Sequence, residues 1–221
     1  VVIGYHAGKA ITSADSNVIL GHRTALVLTE QSNSVIIGEG AGFDKTTGTN
    51  VVFIGHNAGK DHDTESENIF IGDEAGAGPI AGGEYNVAIG NHSLDALTSA
   101  DNNVAVGHNA GSGLTDGGYN VLIGKDAGLV TNGGRNVMIG TEVADAATSC
   151  DNNVIIGDGA VGTGVLTGNQ NVVIGSEAGK VMTSATDTVL IGYQAGQSMQ
   201  SSEYSVCIGR SAGEDMVSNR L

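Results

Sequence analysis

Residues 171–180, NVVIGSEAGK, decide the fold, because the chain keeps repeating them. Residues 86–95 read NVAIGNHSLD, 120–129 NVLIGKDAGL and 136–145 NVMIGTEVAD, and the chain opens at 1–10 with VVIGYHAGKA. The glycine that ends each V-x-I-G falls at 4, 21, 38, 55, 72, 90, 107, 124, 140, 157, 175, 192 and 209. Successive spacings are 17 apart from one of 16 and two of 18, so thirteen copies account for all 221 residues. Seventeen residues are too few for a helical-hairpin repeat and suit one coil of a parallel β-solenoid, whose coils stack at roughly 4.8 Å.

Three before each glycine stands Val in twelve copies and Ile69 in the other; immediately before it stands Ile in eleven, with Leu20 and Val106 as exceptions. β-Branched residues two apart point to one face of a strand and favour a pleated sheet over a helix. These two columns are therefore expected to face the core. Three after the glycine comes Ala in ten copies, a small residue suited to a tight corner. Seven after it, Ile11, Leu28, Leu97, Leu114, Met182, Met199 and Met216 suggest a second short strand across a thin interior, and the 16- and 18-residue copies are expected to absorb their change in a corner.

If those columns face inward, the residue between them faces out. It reads Val2, Ile19, Ile36, Phe53, Phe70, Ala88, Ala105, Leu122, Met138, Ile155, Val173, Leu190 and Cys207, all apolar. An outward apolar stripe of roughly 500 Å² is more than a soluble monomer leaves bare, so these thirteen residues are the expected subunit interface. Four before the glycine, Asn68, Asn86, Asn103, Asn120, Asn136, Asn153 and Asn171 are expected to stack as a hydrogen-bonded ladder.

Composition narrows the function classes. The 36 glycines come with a single proline, which excludes collagen, and 40% apolar residues on a fixed period exclude disorder. A net charge of -15 argues against a nucleic-acid partner. No apolar run approaches the ~20 residues of a membrane-spanning helix. The chain begins and ends inside a repeat, and the expectation is a single β-solenoid domain over 1–221, cut from a longer fibre.

These repeats, for instance VVFIGHNAGKDHDTESEN at 51–68, resemble those of bacteriophage tail fibres and related surface fibres. They are also similar to the SVAIG coils of trimeric autotransporter adhesin heads. The resemblance implies a homotrimeric, left-handed parallel β-roll outside the cell, on a virion or a cell surface. Its work would be to extend and adhere, with self as partner and a host receptor or glycan bound through regions outside this segment.

Cys150 and Cys207 lie three coils apart, about 14 Å, too far for a disulfide. His22, His56 and His108 follow repeat glycines but alternate with Glu39, Asp73, Lys125 and Thr141, the pattern of a solvated corner and no metal site. Asp15, Asp101 and Asp151 read as turn residues, since their spacing matches no calcium loop. No nucleophile elbow or phosphate loop stands out. No catalytic residue, cofactor or metal is expected, and the chain is read as no enzyme. Tyr85, Tyr119 and Tyr204 share one corner position. The rival reading is a monomeric ice-binding or other ligand-binding solenoid, which would want a flat, regular outward array, often of Thr.

Overall fold

The computed structural model describes residues 1–78 and 83–216. Among them there is no helix, and the chain is a parallel β-solenoid of about thirteen coils. Its strands are β1 (Val2–Ile3), β2 (Ser13–Asp15), β3 (Val18–Leu20), β4 (Glu30–Ser32), β5 (Val35–Ile37), β6 (Val52–Ile54), β7 (Ile69–Ile71), β8 (Val87–Ile89), β9 (Val104–Val106), β10 (Val121–Ile123), β11 (Val137–Ile139), β12 (Val154–Ile156), β13 (Val172–Ile174), β14 (Val189–Ile191) and β15 (Val206–Ile208). The coils divide into two compact units, Val1–Asp116 and Gly117–Leu221. In the first, β1-β3-β5-β6-β7-β8-β9 form a parallel sheet in that order, and β2 pairs with β4 in a short second one. In the second, β10 to β15 follow one another in chain order.

Register is kept by the V-x-I triplet whatever the coil length. Val121 pairs with Val137 across the 16-residue coil and Val154 with Val172 across an 18-residue one. The length change is taken up beyond the strand. In the coil that starts at Gly157, Leu166 fills the interior, nine after the glycine, where most coils place an apolar residue seven after it.

Three left-handed corners bend each coil. They fall two and four residues after the repeat glycine and five before it, as at Glu142, Ala144 and Asn152 (φ 52, 47 and 58°). The second of these is Gly in most coils, because a Cβ there carries a penalty and meets the core. Gly76 shows why: an added Cβ would lie 2.6 Å from the Phe70 ring. Where the strand residue shrinks to Ala88 and then Ala105, this corner carries Leu94, itself fully buried. Volume lost on one wall is restored on the other, as close packing demands.

The strands therefore face the opposite way from the sequence expectation. The middle residue of the triplet points into the coil: Ile19, Ile36, Phe53, Phe70, Ala88, Ala105, Leu122, Met138, Ile155, Val173 and Leu190 are fully buried, and Cys207 nearly so, within a single chain. Only Val2, on the first coil, is exposed. This column is the hydrophobic core and not a subunit interface. Three consecutive apolar residues carry no period-2 signal, so alternation alone does not tell inside from outside.

The second wall is less regular than expected. A paired second strand exists at β2 and β4, continued by an isolated bridge between Ser32 and Thr49, and again as a bridge between Thr186 and Glu203. Elsewhere the residue seven after the glycine sits in a turn with its side chain buried, as with Leu28, Leu97, Leu114, Met182 and Met199.

Candidate functional site

With the middle residue inside, the two flanking columns point outward. In the first unit fourteen Val, Ile and Leu side chains stand on the outer face of the long sheet, and in the second unit twelve more. They range from half-buried to open: Val18 is 38%, Leu20 41%, Ile123 36% and Ile208 65% exposed. No charged residue interrupts either column. A patch on the order of 400 Å² or more results on each unit, at the upper end of what monomers leave bare. A sheet face in contact with water is normally polar, so that each strand alternates apolar and polar residues, and these strands do not.

The Asn column lies inside the coil wall. Asn86 Oδ1 accepts the backbone N–H of Asn103 at 3.0 Å, and Asn136 Oδ1 that of Asn153 at 3.0 Å. The Nδ2 groups donate across the coil to the next turn's carbonyls: Asn68 to Gly83 (2.8 Å), Asn120 to Gly133 (2.9 Å) and Asn171 to Ala185 (2.7 Å). Each Asn thus holds the left-handed corner beside it and joins two coils, with both ends of the amide used. At the column's margins Asn17, Ser34 and Thr188 take the same place; Ser34 N–H donates to Asn17, Val51 N–H to the Ser34 hydroxyl, and Thr188 N–H to Asn171.

Other singled-out residues have structural partners. Asp101 accepts the Glu84 N–H and Asp151 the Gly134 N–H (2.8 and 2.6 Å), bracing a corner. His22 pairs with Glu39 and His56 with Asp73 between neighbouring coils, exposed contacts worth little in water. His108 lies edge-on to His92, with ring centroids 6.1 Å apart. Among the described residues no group of three or more His, Cys, Asp or Glu is arranged to hold a metal. Cys150 and Cys207 are free and buried; burial pushes the Cys150 thiol up to about 11, so it is inert. Tyr85, Tyr119 and Tyr204 occupy the left-handed corner five before the glycine and are well exposed, Tyr119 lying under the Arg135 guanidinium.

Two features escape the sequence reading. Lys9, Arg23 and Lys60 share the outer corner of the first four coils with Tyr5, His6, His22 and His56, and Arg23 stacks on Phe43 at 4.8 Å. The other feature lies in the interior, where Lys45, His62 and Glu65 are buried together. Lys45 and His62 sit seven after their glycines, the place of Leu or Met in other coils.

No protein-family model matches the chain, and no curated protein and no solved structure matches it either.

Proposed function

We propose that this chain is a structural segment of an adhesive fibre, the shaft or head of a homotrimeric bacteriophage tail fibre or cell-surface adhesin, acting outside the cell. The observation that carries this reading is the outer sheet face of each unit, with two columns of Val, Ile and Leu that no charged residue interrupts. β-Branched side chains on a flat sheet are rigid and lose little freedom on contact, which suits a face that packs on its own copy. Each chain repeats the same face coil after coil, so copies related by a rotation axis would bury it continuously. A fibre built from such segments would carry binding elements outward and present several copies at once, gaining affinity by avidity. A host receptor or glycan would then be bound by elements that this segment supports.

The Thr residues favour this reading over an ice-binding one. Thr12, Thr29, Thr46, Thr98, Thr163 and Thr183 turn their hydroxyls to carbonyls of the next coil, and so do not form a free outward array.

The test is to place charge on the outer columns. Ile139→Lys combined with Ile174→Lys changes side chains that are only half-buried in one chain. Each chain should stay folded, with stability altered by about 0.5 kcal/mol per site. In the assembly the same ammonium groups would be buried unpaired, which is prohibitive. The expected result is a folded single chain by circular dichroism and light scattering. An assembly of unchanged mass would rule out this face as the contact.

A further inference from the structure

The interior of the first unit holds a charged cluster at the place where Leu28, Leu97 and Leu114 are buried in other coils. Lys45 is fully buried, with Nζ donating to the Glu65 backbone carbonyl at 2.5 Å. Its stem runs past Gly48, where an added Cβ would lie 2.8 Å from Nζ. His62 is fully buried against the stacked Phe53 and Phe70 rings, at centroid distances of 5.5 and 4.7 Å. Apart from a weak contact with the Gly76 backbone its ring nitrogens have no hydrogen-bond partner, and Nδ1 stands 3.8 Å from Glu65 Oε2. That carboxylate oxygen accepts the N–H groups of Asp63 and Thr64 at 3.0 and 3.1 Å. Asp63 and Glu84 are the other carboxylates whose charge reaches Lys45.

Replacing buried ionic groups by apolar ones of similar size is often neutral or stabilising, so this cluster is a poor way to hold a coil closed. It is, however, an effective way to make closure depend on protons. We propose that Lys45, His62 and Glu65 make the coils spanning residues 43–66 an acid-sensitive link, closed at neutral pH and opening locally as the pH falls.

The sign follows from the two bases. Burial, and then the neighbouring Lys45 ammonium, hold His62 well below its ordinary 6.5, and the Gly76 backbone offsets only part of this. The closed link cannot take up the proton that the opened one accepts. Closure is therefore fully favoured well above pH 6.5 and is lost as the pH falls through it, with a slope that approaches about tenfold per unit below it. Burial likewise lowers Lys45 from 10.5 to about 8, despite the raising effect of Glu65, Asp63 and Glu84. That cost is fully present below pH 8 and disappears as the pH rises toward 10.5. Both groups tighten the link with rising pH and loosen it with falling pH. Protonation of His62 beside an already charged Lys45 would put two like charges in one dry space.

Hydrogen exchange on the full chain, corrected for the intrinsic pH dependence of exchange, tests this directly. Between pH 6.5 and 5.0 the protection of amides in residues 43–66 should fall about 15-fold, because His62 of the opened link is already half protonated at the upper pH. Amides of residues 94–115, in coils lined by Leu97 and Leu114, should keep theirs. His62→Leu, which installs the side chain those coils use, should remove the difference. Equal loss in both regions, no loss in either, or a loss that persists in His62→Leu would overturn the proposal. The comparison between coils of the native chain decides it even if the variant does not fold.

Discussion

Gly124→Ala is expected to cost about 4 kcal/mol, enough to unfold a marginally stable unit. Gly124 has φ +134° and closes the strand β10; an added Cβ would stand 2.1 Å from the carbonyl oxygen of Gly140 in the next coil. The left-handed conformation contributes about 1–2 kcal/mol of this, and the rest comes from forcing apart backbones stacked at strand spacing. The same contact recurs along the column: Gly140 faces the Gly157 oxygen at 2.4 Å and Gly175 the Gly192 oxygen at 2.3 Å. A side chain here does not clash with another side chain that could turn away; it meets main chain. Gly159 supplies the control. It is also left-handed, at φ +58°, but nothing lies within 4 Å of its Cβ position. Gly159→Ala should cost about 1 kcal/mol, and Gly159→Asn less, since Asn tolerates this conformation and stands in the same place at Asn57 and Asn109. Equilibrium denaturation of the three variants measures the contrast. Equal costs for Gly124→Ala and Gly159→Ala would show that coil spacing does not set the requirement.

Removing one rung of the Asn column should have nearly as large an effect. Asn136 accepts from the Asn153 N–H (3.0 Å) and Nδ2 (3.2 Å), and donates to Asn120 Oδ1 (3.1 Å) and the Cys150 carbonyl (2.8 Å). Its side chain is fully buried, so water cannot replace it. Asn136→Ala leaves a buried N–H and a buried carbonyl unpaired, and a loss of about 3 kcal/mol is expected. Asn136→Ser should lose less, because a hydroxyl can still accept the next coil's N–H, as Ser34 does for Val51 at 3.2 Å. The order Asn, Ser, Ala in denaturation midpoint is the prediction; Ser falling below Ala would contradict the role assigned to the acceptor.

The strands, their parallel stacking and their register were legible in the sequence, because a glycine that cannot be replaced marks every coil at one place. Orientation was not. In V-x-I all three residues are apolar, and the inference that two conserved-looking β-branched columns are the core put Phe53, Met138 and Ile155 on the wrong side. A usable signal was present in the volumes. Where the middle residue is most bulky, at Phe53 and Phe70, the corner four after the glycine is Gly59 and Gly76, and where it shrinks to Ala88 the corner becomes Leu94. Compensation of that kind belongs to a closed interior.

The interior cluster was hidden for a related reason. Lys45 and His62 interrupt a column that is otherwise mostly apolar, and in a 17-residue coil a polar residue at that place reads as a shifted corner. Only the buried positions of Lys45, His62 and Glu65 bring the three together. The Asn column was legible as a ladder, but its reach across the coil to Gly83, Cys150 and Ala185 depends on how tightly the corner turns, which residue types do not report.

The most direct test of the central claim, that other copies of the chain cover the outer Val and Ile columns, is the solution mass of the folded protein by light scattering after size exclusion. A mass of about 66 kDa, three chains of 22.1 kDa, is the predicted result. A stable folded species of 22.1 kDa would contradict it and leave the outer face of the sheet open to water or to a ligand of another kind.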